Sequence, residues 1–137
     1  DAFAANPGIE LHTSTCPRFV EFVEAGTTSG PELLTVAHKY LDGLVDQGVD
    51  TLILGIHGID LDAGLTTPNL LEAETNRLLI AAAKRIIVVA DHSKWGVIGL
   101  CTVGSLDQVD VLVTDAELDV EARRLVSDKV GQLIVAQ

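Results

Sequence analysis

The sequence predicts a single α/β domain over residues 1–137, a three-layer sandwich with a mostly parallel sheet of five or six strands and helices on both faces. Three observations predict it. The length is that of one domain and is enough to bury a core. Hydrophobic residues make up 47% of the chain but aromatic residues only 4%, so the core must be Leu, Ile, Val and Ala. Amphipathic segments alternate with short apolar runs, the pattern of helices packed on a parallel sheet.

The first part of the chain supplies a strand, two helices and a second strand. Residues 9–12 alternate apolar and polar side chains after a turn signal, which predicts a short strand. Pro17 opens a short helix. Pro31 begins a longer one over residues 31–47, followed by a buried strand at residues 51–54. Its apolar side chains recur at three- and four-residue steps: Leu33, Leu34, Ala37, Leu41, Leu44 and Val45.

The rest of the chain repeats this alternation. Residues 60–66 read as a loop, and Thr67 and Pro68 as the start of the next helix. Residues 85–90 hold a continuous and mostly β-branched apolar run after Arg85, which predicts the strongest strand of the chain, covered on both faces. Further elements are predicted at residues 97–103 (extended), 105–109 (helical turn), 110–114 (strand), 120–130 (helix) and 133–135 (strand).

Composition and charge limit the classes of function that the sequence predicts. The net charge of −11 argues against a nucleic-acid surface, which needs an excess of Lys and Arg. The sequence contains no apolar run of about 18 residues, so no membrane span is predicted. Two cysteines, Cys16 and Cys101, set no disulfide framework and predict reduced thiols in a cytoplasmic protein. The chain opens at Asp1 in mid-pattern, which suggests a segment cut from something longer.

Residues 1 to about 55 resemble the C-terminal part of glutamate racemases. The run CPRFVEFVE over residues 16–24 and the helix and strand over residues 40–55 carry the resemblance. In that family the strand is followed by a Cys-Thr-His-Tyr-Pro segment that holds one of two catalytic cysteines. Here Gly55 is followed by Ile56-His57-Gly58. The resemblance therefore implies a racemase segment without its catalytic cysteine.

Residues from about 54 to 137 resemble the C-terminal half of the effector-sensing domain of DeoR-type transcriptional repressors. The carrying motifs are GID at 58–60, GLTTPN at 64–69, EAE at 72–74, DHSKWG at 91–96 and VTD at 113–115. The resemblance implies a sugar-phosphate effector. In that family another half supplies a Gly-Thr-Thr loop, and a winged helix binds DNA. Residues 26–28 spell Gly-Thr-Thr but lie in the racemase-like segment, so we interpret them as coincidence.

The two resemblances meet in the strand at residues 51–55, which predicts an engineered or selected chimera. A buried parallel strand asks for little beyond shape and apolarity, so two α/β fragments could share it. The leading hypothesis is a folded chimera with no evolved activity, and so not an enzyme. One alternative is a residual sugar-phosphate-binding module of a DeoR-type repressor. Another is an inactive remnant of glutamate racemase.

Candidate ligand-binding residues lie in the loops that follow strands. After the strongest predicted strand, Lys94 could serve as a point charge and Ser93 as a donor for an anion. The same loop also fits a structural reading, with Asp91 accepting from backbone amides and Lys94 solvated. The full candidate set is Gly58, Asp60, Thr66, Asp91, Ser93, Lys94 and Asp115.

Catalytic and metal sites are not predicted. Cys16 near His12 and Glu24 suggests a nucleophile, but racemisation needs two opposed acid/base groups and this segment has one Cys. His57, Asp60 and Asp62 offer too few oxygen ligands for a hard cation. We therefore expect no catalytic residue, no metal and no cofactor.

The expected partners are a second copy of the chain and a small anion. Joining two half-sheets leaves an edge or an apolar face without its former cover, which predicts a homo-oligomer, a dimer in the simplest case. Phosphate or a sugar phosphate is the expected weak ligand. Neither nucleic acid nor a membrane is expected.

Overall fold

The structure, a computed structural model, describes residues 49–137. The strand predicted at residues 9–12 and the two helices that follow it lie outside that range. The elements are β1 Val49–Gly55, β2 Gly58–Asp60, β3 Gly64–Thr67, α1 Leu70–Ala82, β4 Ala83–Val89, β5 Cys101–Gly104, β6 Val111–Asp115, α2 Val120–Ser127 and β7 Gln132–Ala136. Short 3₁₀ turns lie at His92–Lys94 and Leu106–Gln108.

Four of these strands form a parallel sheet in the order β1-β4-β6-β7. The prediction of an α/β fold with a mostly parallel sheet is confirmed, and the architecture is consistent with a three-layer sandwich. The apolar runs place Leu54, Val88 and Leu112 in register across three strands, so they share one face. All three are buried in one cluster with Leu79 of α1 and Val126 of α2. The core thus lies between this face and the helices.

Three strands form a small antiparallel sheet in the order β2-β3-β5. The prediction of a loop over residues 60–66 is therefore wrong. The two strands of this hairpin have only 3 and 4 residues, too few for a strand pattern to be recognised, and the turn between them is made by polar groups. The Asp60 carboxylate accepts hydrogen bonds from the amides of Asp62 and Ala63, both at 2.9 Å, and Gly64 has a φ of +74°. An Asx-type turn and a glycine in the left-handed region close the hairpin.

Side-chain caps fix where the two helices begin. Asn69, not Thr67, caps α1, because its side-chain oxygen accepts from the amides of Leu71 and Glu72 at 3.0 and 3.2 Å. Asp119 caps α2 through the amide of Glu121 at 2.6 Å. Between residues 49 and 137, no helix is long and apolar enough to cross a membrane.

Candidate functional site

The loops that leave β4 and β6 meet at the carboxyl edge of the parallel sheet. These strands are neighbours, and this edge is where open α/β sheets usually bind ligands. The backbone amide of His92 donates to Asp115 Oδ2 at 3.0 Å, and the His92 Nδ1 atom lies 3.0 Å from both Asp115 carboxylate oxygens. On its other side, His92 Nε2 lies 3.3 Å from Glu117 Oε2. His92 therefore joins the two loops through both ring nitrogens.

Asp91 organises the first of these loops. Its carboxylate accepts from the Ser93 amide at 2.8 Å and from the Ser93 hydroxyl, which caps the 3₁₀ turn. Lys94 follows in the same turn and is half-buried. The structural role expected for Asp91 from the sequence is thus present. The turn also fixes the backbone of Ser93 and Lys94 in the loop that His92 joins to Asp115.

Hydrogen bonds stabilise the charged forms of the ionisable side chains in this cluster. The pKa of Asp115 lies below its ordinary value, first because the His92 amide donates to it and then because the imidazole does. The Ser93 hydroxyl and amide lower the pKa of Asp91 in the same way. The bond to Asp115 raises the pKa of His92 above its ordinary value of 6.5. The arrangement therefore favours ionised carboxylates around a protonated imidazole.

We expect the His92–Asp115 pair to stabilise the fold most in mildly acidic solution. Because the pKa of His92 is raised, its contribution is complete below 6.5 and is lost as the pH rises through the raised value. Because the pKa of Asp115 is lowered, its contribution is complete above 3.8 and is lost as the pH falls through the lowered value. An NMR titration of the His92 imidazole should show a midpoint above 6.5.

The control for this titration is a matched loss of charge elsewhere. Asp115→Asn should move the His92 midpoint down towards its ordinary value. Asp128→Asn removes an equal charge beside Arg124 and should leave the midpoint in place. A His92 midpoint that ignores Asp115→Asn would contradict the pairing.

The structure divides the candidate residues between two places. Asp91, Ser93, Lys94 and Asp115 lie together at the edge of the parallel sheet, as described above. The other three lie in the small antiparallel sheet, where Gly58 is in register with Thr66 and Asp60 closes the hairpin. A bridge between Ile59 and Trp95, with the Gly96 amide donating to the Ile59 carbonyl at 2.8 Å, connects the two places.

Sequence reasoning missed His92 and Glu117 as members of the cluster. Their membership follows from the adjacency of β4 and β6, which the periodicity along the chain does not contain. Single ligand atoms of Asp91, His92 and Asp115 lie within 4.8 Å of one another, close enough to share a cation. Both ring nitrogens of His92 already face carboxylates, so ion pairing explains the cluster. The set His57, Asp60 and Asp62 forms no such group within the part of the chain that the structure describes.

A family model for the DeoR C terminal sensor domain matches residues 20–116, well over half of the chain. The chain belongs to the DeoR C-terminal sensor domain family. The match begins upstream of residue 54, where the sequence predicted that sensor-like sequence starts. The match also covers the Gly-Thr-Thr of residues 26–28. The position of this tripeptide in the racemase-like segment is therefore no longer a reason to interpret it as coincidence.

Glutamate racemases are also similar to this member of the DeoR sensor family. The racemase of Beutenbergia cavernae is 61% identical over 64 residues, 47% of this chain and 22% of the racemase. That of Acidothermus cellulolyticus is 62% identical over 55 residues, 40% and 21% respectively. That of Corynebacterium glutamicum is 48% identical over 65 residues, 47% and 24%. The chain spans between a fifth and a quarter of the length of these relatives.

These findings support a mixed origin and correct two predictions. The hypothesis of an engineered chimera with no evolved activity is wrong, because the matches are to natural racemases and to a sensor family whose match runs through the supposed junction. The prediction that the chain is not an enzyme is contradicted by the same relatives, which are enzymes matched over part of the chain. Both predictions rested on the two-family split and on the absence of the catalytic and DNA-binding parts.

Proposed function

We propose that this member of the DeoR sensor family binds a sugar phosphate in the loop cluster at the carboxyl ends of β4 and β6. The observation that carries the proposal is the meeting of the Asp91–Lys94 loop with Asp115 through His92. Family membership supplies the sensing role. The cluster supplies the two kinds of group that a phosphorylated sugar needs.

The two kinds of group divide the ligand between them. Sugar hydroxyls donate hydrogen bonds, and the exposed carboxylates of Asp91 and Glu117 can accept them. The phosphate needs positive charge, which Lys94 provides as a point charge; the protonated ring of His92 adds a second charge, although its ring nitrogens face Asp115 and Glu117. The carboxylates repel a free phosphate, so we expect the cluster to select a phosphorylated sugar over inorganic phosphate.

Lys94→Gln should weaken sugar-phosphate binding about tenfold or more, since a charge-assisted hydrogen bond to phosphate is removed. Isothermal titration of a panel of sugar phosphates into the full chain measures this. Lys129→Gln removes the same charge just after α2 and should bind as the parent does. If no sugar phosphate binds the parent protein, or if inorganic phosphate binds equally well, the proposal is wrong.

A second candidate function is glutamate racemase chemistry, favoured by the identity of 48–62% to racemases. Cys16, the one cysteine of the racemase-like segment, would be the thiol, and the opposed acid/base group would come from Cys101 or from a residue outside the family's cysteine pair. The test is polarimetry of L-glutamate incubated with the full chain. Racemisation abolishes the optical rotation, and Cys16→Ser should prevent that loss. A rotation that stays constant with the parent protein removes this candidate and leaves the first untouched.

A further inference from the structure

β7 lies at one edge of the parallel sheet, away from the loop cluster that joins β4 and β6. Within residues 49–137 the two sheets have four edge strands, β1, β7, β2 and β5. An edge strand turns some of its amide and carbonyl groups away from its neighbour, so an unprotected edge can pair with a further strand. Soluble proteins protect such edges with charged side chains, with bulges or with a covering segment.

Three of the four edges are protected. β1 carries Asp50, whose side chain is 89% exposed. β2 is joined on its outer side to Trp95 by a bridge at Ile59. On β5, the Thr102 carbonyl accepts a hydrogen bond from Arg77 Nε at 2.8 Å. Each of these strands would have to bury a charge or lose a contact to accept another strand.

Among the described residues, nothing of this kind protects β7. Its five residues run in continuous register with β6, without a bulge. The segment 130–137 contains no charged residue and no proline, although charged residues make up 21% of the chain. Ile134, at the centre of β7, is 41% exposed. β7 is therefore the edge most open to a further strand.

The sequence of β7 is complementary to itself. In an antiparallel pair centred on Ile134, this residue lies opposite its own copy and Leu133 lies opposite Val135. Leu133 is in register with the buried Leu112, so Leu133 and Val135 would extend the face that the helices cover. The net charge of −11 makes two copies repel each other, and this edge brings no further charge into their contact. A second copy is thus the strand that fits β7.

We propose that a second copy of the chain docks on β7, antiparallel to it, about a two-fold axis at Ile134. The interface is isologous, because both copies use the same edge. It joins the two parallel sheets into one continuous sheet, and the outward-facing amide and carbonyl groups of each β7 bind those of the other. The homo-oligomer predicted from the sequence is, in this proposal, a dimer through β7.

Cysteine cross-linking of the full chain tests the position of the axis. In a Cys16→Ser and Cys101→Ser background, Ile134→Cys should give a disulfide-linked dimer under mild oxidation. Opposite Cα atoms in an antiparallel pair are about 4.5–5.5 Å apart, a separation that a disulfide can bridge. Leu100→Cys is the control, because its native side chain is 90% exposed, and it should give little linked dimer. Equal yields at the two positions overturn the proposal.

Charge reversal tests whether β7 holds the copies together in solution. Analytical ultracentrifugation of the parent protein should give twice the 14.5 kDa of one chain. Ile134→Lys should raise the dissociation constant at least about tenfold, because two like charges would face each other across the axis. An equimolar mixture of Ile134→Lys and Ile134→Glu should regain the parent mass.

The control for charge reversal lies on another strand of the same sheet. Ile53→Lys places the same charge at a side chain of β1 that is 47% exposed, and it should leave the mass of the parent dimer unchanged. A parent protein that stays monomeric, or a mixture of the two Ile134 variants that does not associate, shows that β7 does not bind a second copy.

Discussion

Gly64→Ala should lower the free energy of unfolding by about 3 kcal/mol or more, because two costs add at one position. The φ of Gly64 is +74°, in the left-handed region that an L side chain adopts only with strain. A Cβ there would also lie 2.3 Å from the Gly104 carbonyl oxygen on the neighbouring strand. Backbone cannot yield as a flexible side chain does, so β3 and β5 would have to separate. Urea denaturation monitored by circular dichroism measures the loss.

Substitutions at three other glycines distinguish the cost of a positive φ from the cost of the steric clash. Gly96 has a φ of +77° but nothing within 4 Å of its Cβ position, so Gly96→Ala should cost about 1 kcal/mol. Gly58→Ala meets only the clash, with the Val97 carbonyl oxygen at 2.1 Å. Gly55→Ala meets neither cost and should stay within about 0.5 kcal/mol of the parent. Equal losses for Gly64→Ala and Gly96→Ala would show that the close approach of β5 is wrong.

Thr66→Val should lower the free energy of unfolding by about 2 kcal/mol, because it removes a buried hydroxyl and keeps the side-chain shape. Thr66 is 1% exposed. Its Oγ1 atom accepts from the Gly99 amide at 2.8 Å and donates to the Val97 carbonyl at 3.4 Å. Valine would leave both backbone groups without that partner. Denaturant titration gives the stability, and hydrogen exchange at Gly99 should become faster.

The matched control keeps the hydroxyl. Thr66→Ser retains the two hydrogen bonds and loses one methyl group, so it should cost less than Thr66→Val. The comparison also tests a sequence prediction, since Thr66 was a candidate ligand-binding residue. If the Thr66→Val protein has unchanged stability but binds sugar phosphate poorly, Thr66 is a ligand-binding residue. Lost stability with unchanged binding would assign it to holding the 97–99 segment.

The parallel sheet could be predicted from the sequence because its buried strands appear there as apolar runs. The predicted strand at residues 85–90 is apolar on successive positions from Ile86 onwards, and β4 occupies Ala83–Val89. The strand predicted at residues 110–114 is β6, Val111–Asp115, shifted by one residue. Both are interior strands, and the side chains that they turn towards the helices, Ile86 and Val88 of β4 and Leu112 of β6, are apolar and buried. The antiparallel hairpin could not be predicted in this way, because it is specified by the Asp60 turn and by Gly64.

The sequence could predict which loop residues belong to the candidate site, but it could not predict the contacts between them. Asp91, Ser93, Lys94 and Asp115 were identified because polar residues follow apolar strands. That His92 lies against Asp115 depends on β4 and β6 being neighbours. Strand order is set by long-range pairing, which periodicity along the chain does not contain. The sequence therefore supplied the members of the cluster, and the fold supplied their contacts.

The bridge between Ile59 and Trp95 makes the only tryptophan of the chain a natural optical probe. Its indole is partly buried, directly after Lys94, where the loop that follows β4 meets β2. Emission from a partly buried indole changes with its exposure to water and with nearby charge. A ligand that orders the preceding turn should therefore change the intrinsic fluorescence of the unlabelled protein, and the spectrum can follow occupancy in real time.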